Sequence, residues 1–206
     1  MMMKTYVFVA VNKDKWRKKR KNFCFLKTKC VKTLPMNRKK CYSICEYNSH
    51  RKEGGAYMIS LQALCNTLLK RSFDENISIS PMKLQKLLYF IYRDYYQETG
   101  KPLFAEDFEA WQYGPVLRSV YDEFKTYGAS RIDSFSKTAN GDVYVINERT
   151  NSNLKDIIDS VWNKYKNLNG IELSEITHKA GGAWRKAYLG HEITLSDEDI
   201  KNDHVQ

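Results

Sequence analysis

The stretch SISPMKLQKLLYFIYRDYYQETG, residues 78–100, leaves this chain the least freedom in how it folds. Ser80 can accept hydrogen bonds from the unpaired N–H groups of a first turn, Pro81 suits the first helical position, and Gly100 offers a left-handed stop, so the spacing predicts one helix between them. Leu84, Leu87, Leu88, Ile91 and Tyr95 fall on one face. At 100° per residue Tyr89, Tyr92 and Tyr96 form a second stripe beside the first. A helix apolar over that much of its girth is buried widely, or it faces both a core and a partner. Tyr89, Tyr92 and Tyr96 are accordingly candidate partner-interface residues.

Other segments read as shorter elements around it. MISLQALCNTLLKRSF, from Met58, has near-helical spacing of Ile59, Leu61, Leu64, Leu68 and Leu69. FEAWQY reads as a short extended piece. Pro115 pushes Gly114 toward extended geometry and itself suits a helix start, making YGPV a strand-to-helix corner. The helix expected after it carries Leu117, Val120, Tyr121 and Phe124 on one face and ends at Gly128. GDVYVINE, residues 141–148, alternates as a strand should, follows an Asn140-Gly141 turn signal, and is expected to pair with residues 131–135 in a small hairpin. An amphipathic helix with Leu154, Ile157, Ile158, Val161, Trp162, Tyr165 and Leu168 is closed by Gly170. LSEITHKAGGAWRKAY predicts two short helices broken at Gly181-Gly182, and Ser196 with Asp199 resembles a capping box. The expected fold class is mainly α, a compact helical domain with a small β-hairpin or minor sheet.

Charge divides the chain. Residues 1–57 hold 16 Lys or Arg against 3 Asp or Glu, while residues 58–206 carry a net −3. Residues 1–57 therefore read as a basic, cysteine-containing, poorly ordered N-terminal arm, and residues 58–206 as one domain with a single core. Met58 looks like the beginning of a separate protein, so translation from Met1 and from Met58 are both open. No run approaches the ~18 apolar residues of a membrane span, and TYVFVAV is short for a secretory core and lacks a cleavage site. The expectation is a cytoplasmic protein with no membrane partner.

Five cysteines without an export signal fit reduced thiols. Cys24, Cys30, Cys41 and Cys45 with His50 would suffice for one zinc, but the first pair is spaced too widely for the usual structural site; the reading is no metal and no cofactor. Lys13 to Lys21 with Trp16, Phe23 and Phe25 could grip nucleic acid, which makes a nucleic-acid-binding or autoregulatory protein the alternative function, through the arm only.

Phosphate loops, dinucleotide fingerprints, HExxH and GxSxG are absent from the sequence. His178 follows Glu175 by three residues and could touch it on a helix, but no nucleophile is identifiable by spacing. A helix-terminal histidine beside a Gly-Gly break satisfies carbonyls in the ordinary case. No catalytic residue is assigned, and the protein is read as not an enzyme.

Three blocks, MKLQKLLYFIYRDYY, FEAWQYGPVLRSVYDEFKTYG and LSEITHKAGGAWRKAY, together resemble the signature of the Panacea antitoxin domain family, which includes SocA-like and GepA-like phage-associated proteins. The matching residues are Lys83, Leu84, Lys86, Leu87, Leu88 and Tyr89; Ala110, Trp111, Tyr113, Gly114, Pro115 and Val116; and Thr177, His178 and Trp184. Most of them read as fold determinants. The resemblance implies a mostly helical antitoxin of a bacterial or prophage toxin-antitoxin pair. It would bind a cognate toxin encoded by an adjacent gene and could act as an adaptor to a protease or chaperone. Gly181-Gly182 departs from the family pattern, and the basic extension has no counterpart in it.

Overall fold

A computed structural model describes residues 31–32, 43–47, 51–53 and 56–205; before residue 58 it is the backbone that is described. Helix α2, Pro81–Thr99, runs through the middle. Ser80 caps it by accepting from Lys83 N, and Gly100, at φ 65°, ends it with its N–H on Tyr96 O. Every residue from Lys83 to Arg93 is buried, which two adjacent apolar stripes require. Removing Leu84, Leu87, Leu88, Phe90 and Ile91 from water contributes about 1.5–3 kcal/mol apiece before entropy is counted.

The other helices wrap this axis. Helix α1, Leu61–Asp74, is capped by Ser60; α4, Ser152–Tyr165, buries Leu154, Ile157, Ile158, Val161, Trp162 and Tyr165, the stripe its periodicity predicts. Helix α3 is Arg118–Phe124, with a 3-10 turn to Tyr127 and Gly128 after it. The chain closes through α5, Gly170–Thr177, α6, Ala183–Leu189, and α7, Asp197–Lys201, which Ser196 caps. Gly170 opens α5 rather than merely closing α4. A Cβ on it would stand 3.0 Å from Met82 Cβ, so it lets α5 lie close against the start of α2.

Strands are short. Within the arm the described pieces are β1, Val31–Lys32, β2, Ser43–Tyr47, β3, Arg51–Glu53, and β4, which spans Ala56–Met58. In the body lie β5, Glu109–Trp111, β6, Gly114–Val116, and β7, Val143–Ile146. Strands β3 and β4 pair with each other; β5 and β6 form a hairpin; and the third sheet has the order β1-β2-β7. Cys24, Cys30, Cys41, His50 and the Lys13–Lys21 stretch with Trp16, Phe23 and Phe25 lie outside the described residues, as does the side chain of Cys45.

Two local expectations need correction. The body's hairpin is β5–β6, and residues 131–135 form no strand with 141–148. Ile132 N bonds instead to Ile79 O, and Ser136 N donates to the buried Asn66 side chain, so this segment follows α1. Pro115 lies in β6 opposite Ala110 rather than opening a helix, and Gly114 is left-handed at φ +101°. The Gln85 side chain accepts from Leu117 N and donates to Leu117 O, holding that residue extended until α3 begins.

Candidate functional site

The three motif blocks come together where α2, the β5–β6 hairpin and α5–α6 meet. Lys86 reaches out of α2 with its side chain fully buried and donates to Pro115 O at 3.0 Å. Burial pushes its amine down to about 7. Gly114 lies directly over it: a Cβ there would be 2.6 Å from Lys86 Nζ and 2.7 Å from Thr177 Oγ1, in a conformation L-residues rarely adopt. The motif glycine is thus required by contact as well as by φ. Thr177 is itself buried, its hydroxyl turned back to Ser174 O.

Helix α5 carries the next layer. Ser174 donates to Tyr113 O at 2.8 Å, pinning the hairpin turn to the helix, and its oxygen lies 3.4 Å from His178 Nε2. His178 is the C-cap of α5, as a helix-terminal histidine should be, and its backbone N–H goes to Ser174 O and Glu175 O. Its ring stacks on Trp184 at 3.7 Å and 12°. Burial first, then the nearby Lys86 and Arg185 charges, hold its pKa below the usual histidine value against the opposing pull of Glu175. Trp184 continues the stack to Tyr188 at 4.8 Å and donates through Nε1 to Trp111 O at 2.8 Å. Gly181, at φ +84°, breaks α5 from α6 so that His178 and Trp184 can face each other.

Trp111 is half-buried. Its Nε1 donates to Glu109, Arg118 lies over its ring at 4.6 Å while pairing with the same Glu109, and Tyr121 meets it edge-on at 4.8 Å. The hairpin is tied on its far side by Ala110 N to Ile193 O and Leu195 N to Phe108 O. Around this framework apolar side chains stand in solvent: Tyr113 is 61% exposed, Ile171 65%, Leu189 64% and Ile193 81%. They stand on the hairpin, on α5, on α6 and on the segment after α6, which the Ser174, Trp184 and Ala110 bonds tie together.

Chemically the site is poor. Ser174 and His178 look like a hydroxyl and a base, but the serine proton is given to a backbone carbonyl and the imidazole face is covered by Trp184. Among the described residues no group of three His, Cys, Asp or Glu side chains gathers closely enough to hold a metal, and no helix is long and apolar enough to cross a membrane.

Lys83, Leu84, Leu87, Leu88, Pro115 and Val116 are all buried, and Lys83 Nζ ends on Lys166 O. The tyrosine stripe on α2 is placed differently from the interface expected of it. Tyr89 is wholly buried, with its hydroxyl on Asp203, and Tyr92 is almost so, with its hydroxyl on Asp197 at 2.8 Å. Only Tyr96 is partly accessible, and it packs on the core. The C-terminal segment lies over these residues, so they are part of the inside of this fold. Sequence reading missed Ser174, Gln85 and Asp203 as organisers. A lysine between leucines in a widely apolar helix was the visible signal for Lys86, whereas nothing near Asp203 announces its burial.

Residues 84–185 match the family described as Antitoxin SocA-like, Panacea domain. Among curated proteins, the chain is similar to Antitoxin SocA of Caulobacter vibrioides (strain NA1000 / CB15N), at 28% identity over 155 residues that cover 70% of this chain and 81% of that protein. No solved structure matches the chain. The matched segment runs from the first turns of α2 to Arg185 in α6, so it contains the buried lysine, the hairpin and the His178–Trp184 stack, and over those residues the chain carries a SocA-like Panacea domain.

Proposed function

We propose that this protein is an antitoxin that neutralises a partner toxin protein, encoded by an adjacent gene, through direct binding by residues 58–206 and without a reaction of its own. The family and the similarity to Antitoxin SocA support the role. The observation that carries the binding face is the exposure of Tyr113, Ile171, Leu189 and Ile193 around a corner whose backbone is locked by Lys86, Ser174 and Trp184. A rigid floor with a few projecting aromatic and aliphatic anchors is what a hot-spot interface needs, because little ordering cost is left for the moment of binding. The absence of chemistry is supported by the commitment of the Ser174 proton to Tyr113 O.

The test is co-expression of the full chain with the product of the adjacent reading frame, scoring growth and co-purification. Wild-type protein is expected to restore growth and to form a complex. Tyr113→Ser and Ile171→Ser, both at solvent-exposed positions, should each weaken the complex about tenfold with an unchanged melting temperature. Failure of the wild type to rescue would end the antitoxin reading. Rescue and complex formation by both variants at wild-type strength would move the face elsewhere.

A further inference from the structure

Strand β7 has no partner strand within residues 59–205. Helix α1 closes one of its edges: Asn66 Nδ2 donates to Tyr144 O at 3.0 Å, and Thr67 Oγ1 accepts from Ile146 N at 2.9 Å. Backbone groups of a strand alternate between its two edges, so Val143 and Val145 turn their N–H and C=O groups the other way. There the neighbour is β2, in parallel register from Ile44 opposite Val143 to Tyr47 opposite Ile146. Val145 is buried although it lies outside the hydrophobic core that contains Val143 and Ile146. Taken without β2, the body would present a row of unpaired donors and acceptors, a template for any extended chain.

We propose that this edge of β7 is an exchangeable binding site for one extended polypeptide segment, and that Ser43–Tyr47 of the arm, its resident occupant, is displaced by a copy of that strand supplied in trans. The ladder is short. β2 offers five residues and, among the described residues, is flanked on its outer side only by the two-residue β1. With roughly 1 kcal/mol net per hydrogen bond, so short a ladder binds weakly by itself. What keeps it in place is the tether: ten residues separate Tyr47 from Met58, and a short linker supplies an effective concentration on the order of millimolar. An occupant that is weak in itself and strong only through its tether is exchangeable. The competing segment must lack proline and present N–H groups at alternate positions, the requirement of strand addition to a sheet edge. This proposal does not rest on the antitoxin reading, and either can fail without the other.

The experiment uses the full-length chain and a fluorescein-labelled peptide of residues 42–48 under reducing conditions, with binding read by anisotropy and β7 by amide hydrogen exchange. In Cys45→Pro the middle strand loses a ladder N–H, so the β7 amides should exchange faster while α2 stays protected; the peptide should then bind and restore protection. Wild-type protein should bind the peptide at least about tenfold more weakly, because the tethered strand competes. The same peptide with proline in place of Cys45 should bind neither protein. Equal binding to both proteins, binding to neither, or unchanged β7 exchange in Cys45→Pro would overturn the proposal. Loss of α2 protection in both Cys45→Pro and Tyr47→Pro would overturn it too, since β2 would then be integral to the fold rather than exchangeable.

Discussion

Lys86 shows how much a single position can cost and still be kept. Its amine is buried with Pro115 O as acceptor, and burial brings it down to about 7. From about pH 7 to about pH 10 the unfolded chain carries a proton on this lysine that the folded chain lacks, so stability rises with pH across that window. Below pH 7 both states hold the proton and the penalty is fully present. Lys86→Met is expected to flatten this slope and to raise stability near neutral pH by about 1–3 kcal/mol, less whatever the orphaned Pro115 carbonyl takes back. Urea midpoints at pH 7, 8 and 9 measure both effects, and a variant that kept the wild-type slope would show that the amine is solvated. His178 acts in a different range: with its folded pKa depressed, the stability it contributes is present above the ordinary histidine value and lost as pH falls below it. That Lys86 sits in a helix was legible from the residues, since Ser80, Pro81 and Gly100 bracket it. That its amine would end under a glycine of a distant hairpin was not, because the contact spans about thirty positions and no local pattern encodes it.

At the scale of elements, α1 and the segment that follows α3 are held together by side chains within helix α1 that look unremarkable in sequence. Asn66 donates to Ser136 O and Tyr144 O, both at 3.0 Å, and accepts from Ser136 N at 2.9 Å; Thr67 takes Ile146 N. These bonds replace the hairpin that the alternation of GDVYVINE and the Asn140-Gly141 turn suggested. Strand periodicity was right about Val143–Ile146, yet it states only that a residue run is extended and half-buried, not what lies along its edges. Asn66→Ala should leave buried donors and acceptors unpaired on two elements and cost about 2–4 kcal/mol. The fall in urea midpoint would measure the loss; a cost below about 0.5 kcal/mol would mean that water enters and replaces the amide. The helices themselves were the readable part. Their caps act through first-turn contacts three residues away, and the stripe on α4 is a property of its own fourteen residues.

For the whole molecule, the decisive contact is made by the C-terminal segment. Asp203 is buried; it accepts from the Tyr89 hydroxyl, from Ala183 N at 3.1 Å and from Val205 N at 2.9 Å, while Arg93 donates to Val205 O at 2.7 Å. One carboxylate thus fastens the last residues to the central helix and to the start of α6, the helix that carries Trp184. Asp203→Ala is expected to destabilise the protein by about 2–4 kcal/mol and to speed amide exchange in α6. If α6 kept its protection while global stability fell, the tail would be an anchor without influence on the motif corner. This contact also explains why Tyr89 and Tyr92 are inside and Tyr113 is out. By itself the amino-acid order determined the main helices, both ends of α2, the charge divide at residue 57 and the three blocks that mark the family, because each is set by neighbours within a few turns. Only the tertiary structure decided which tyrosines meet solvent and which lysine loses it. Periodicity measures how wide an apolar face is, whereas the element that covers that face arrives from more than a hundred residues away.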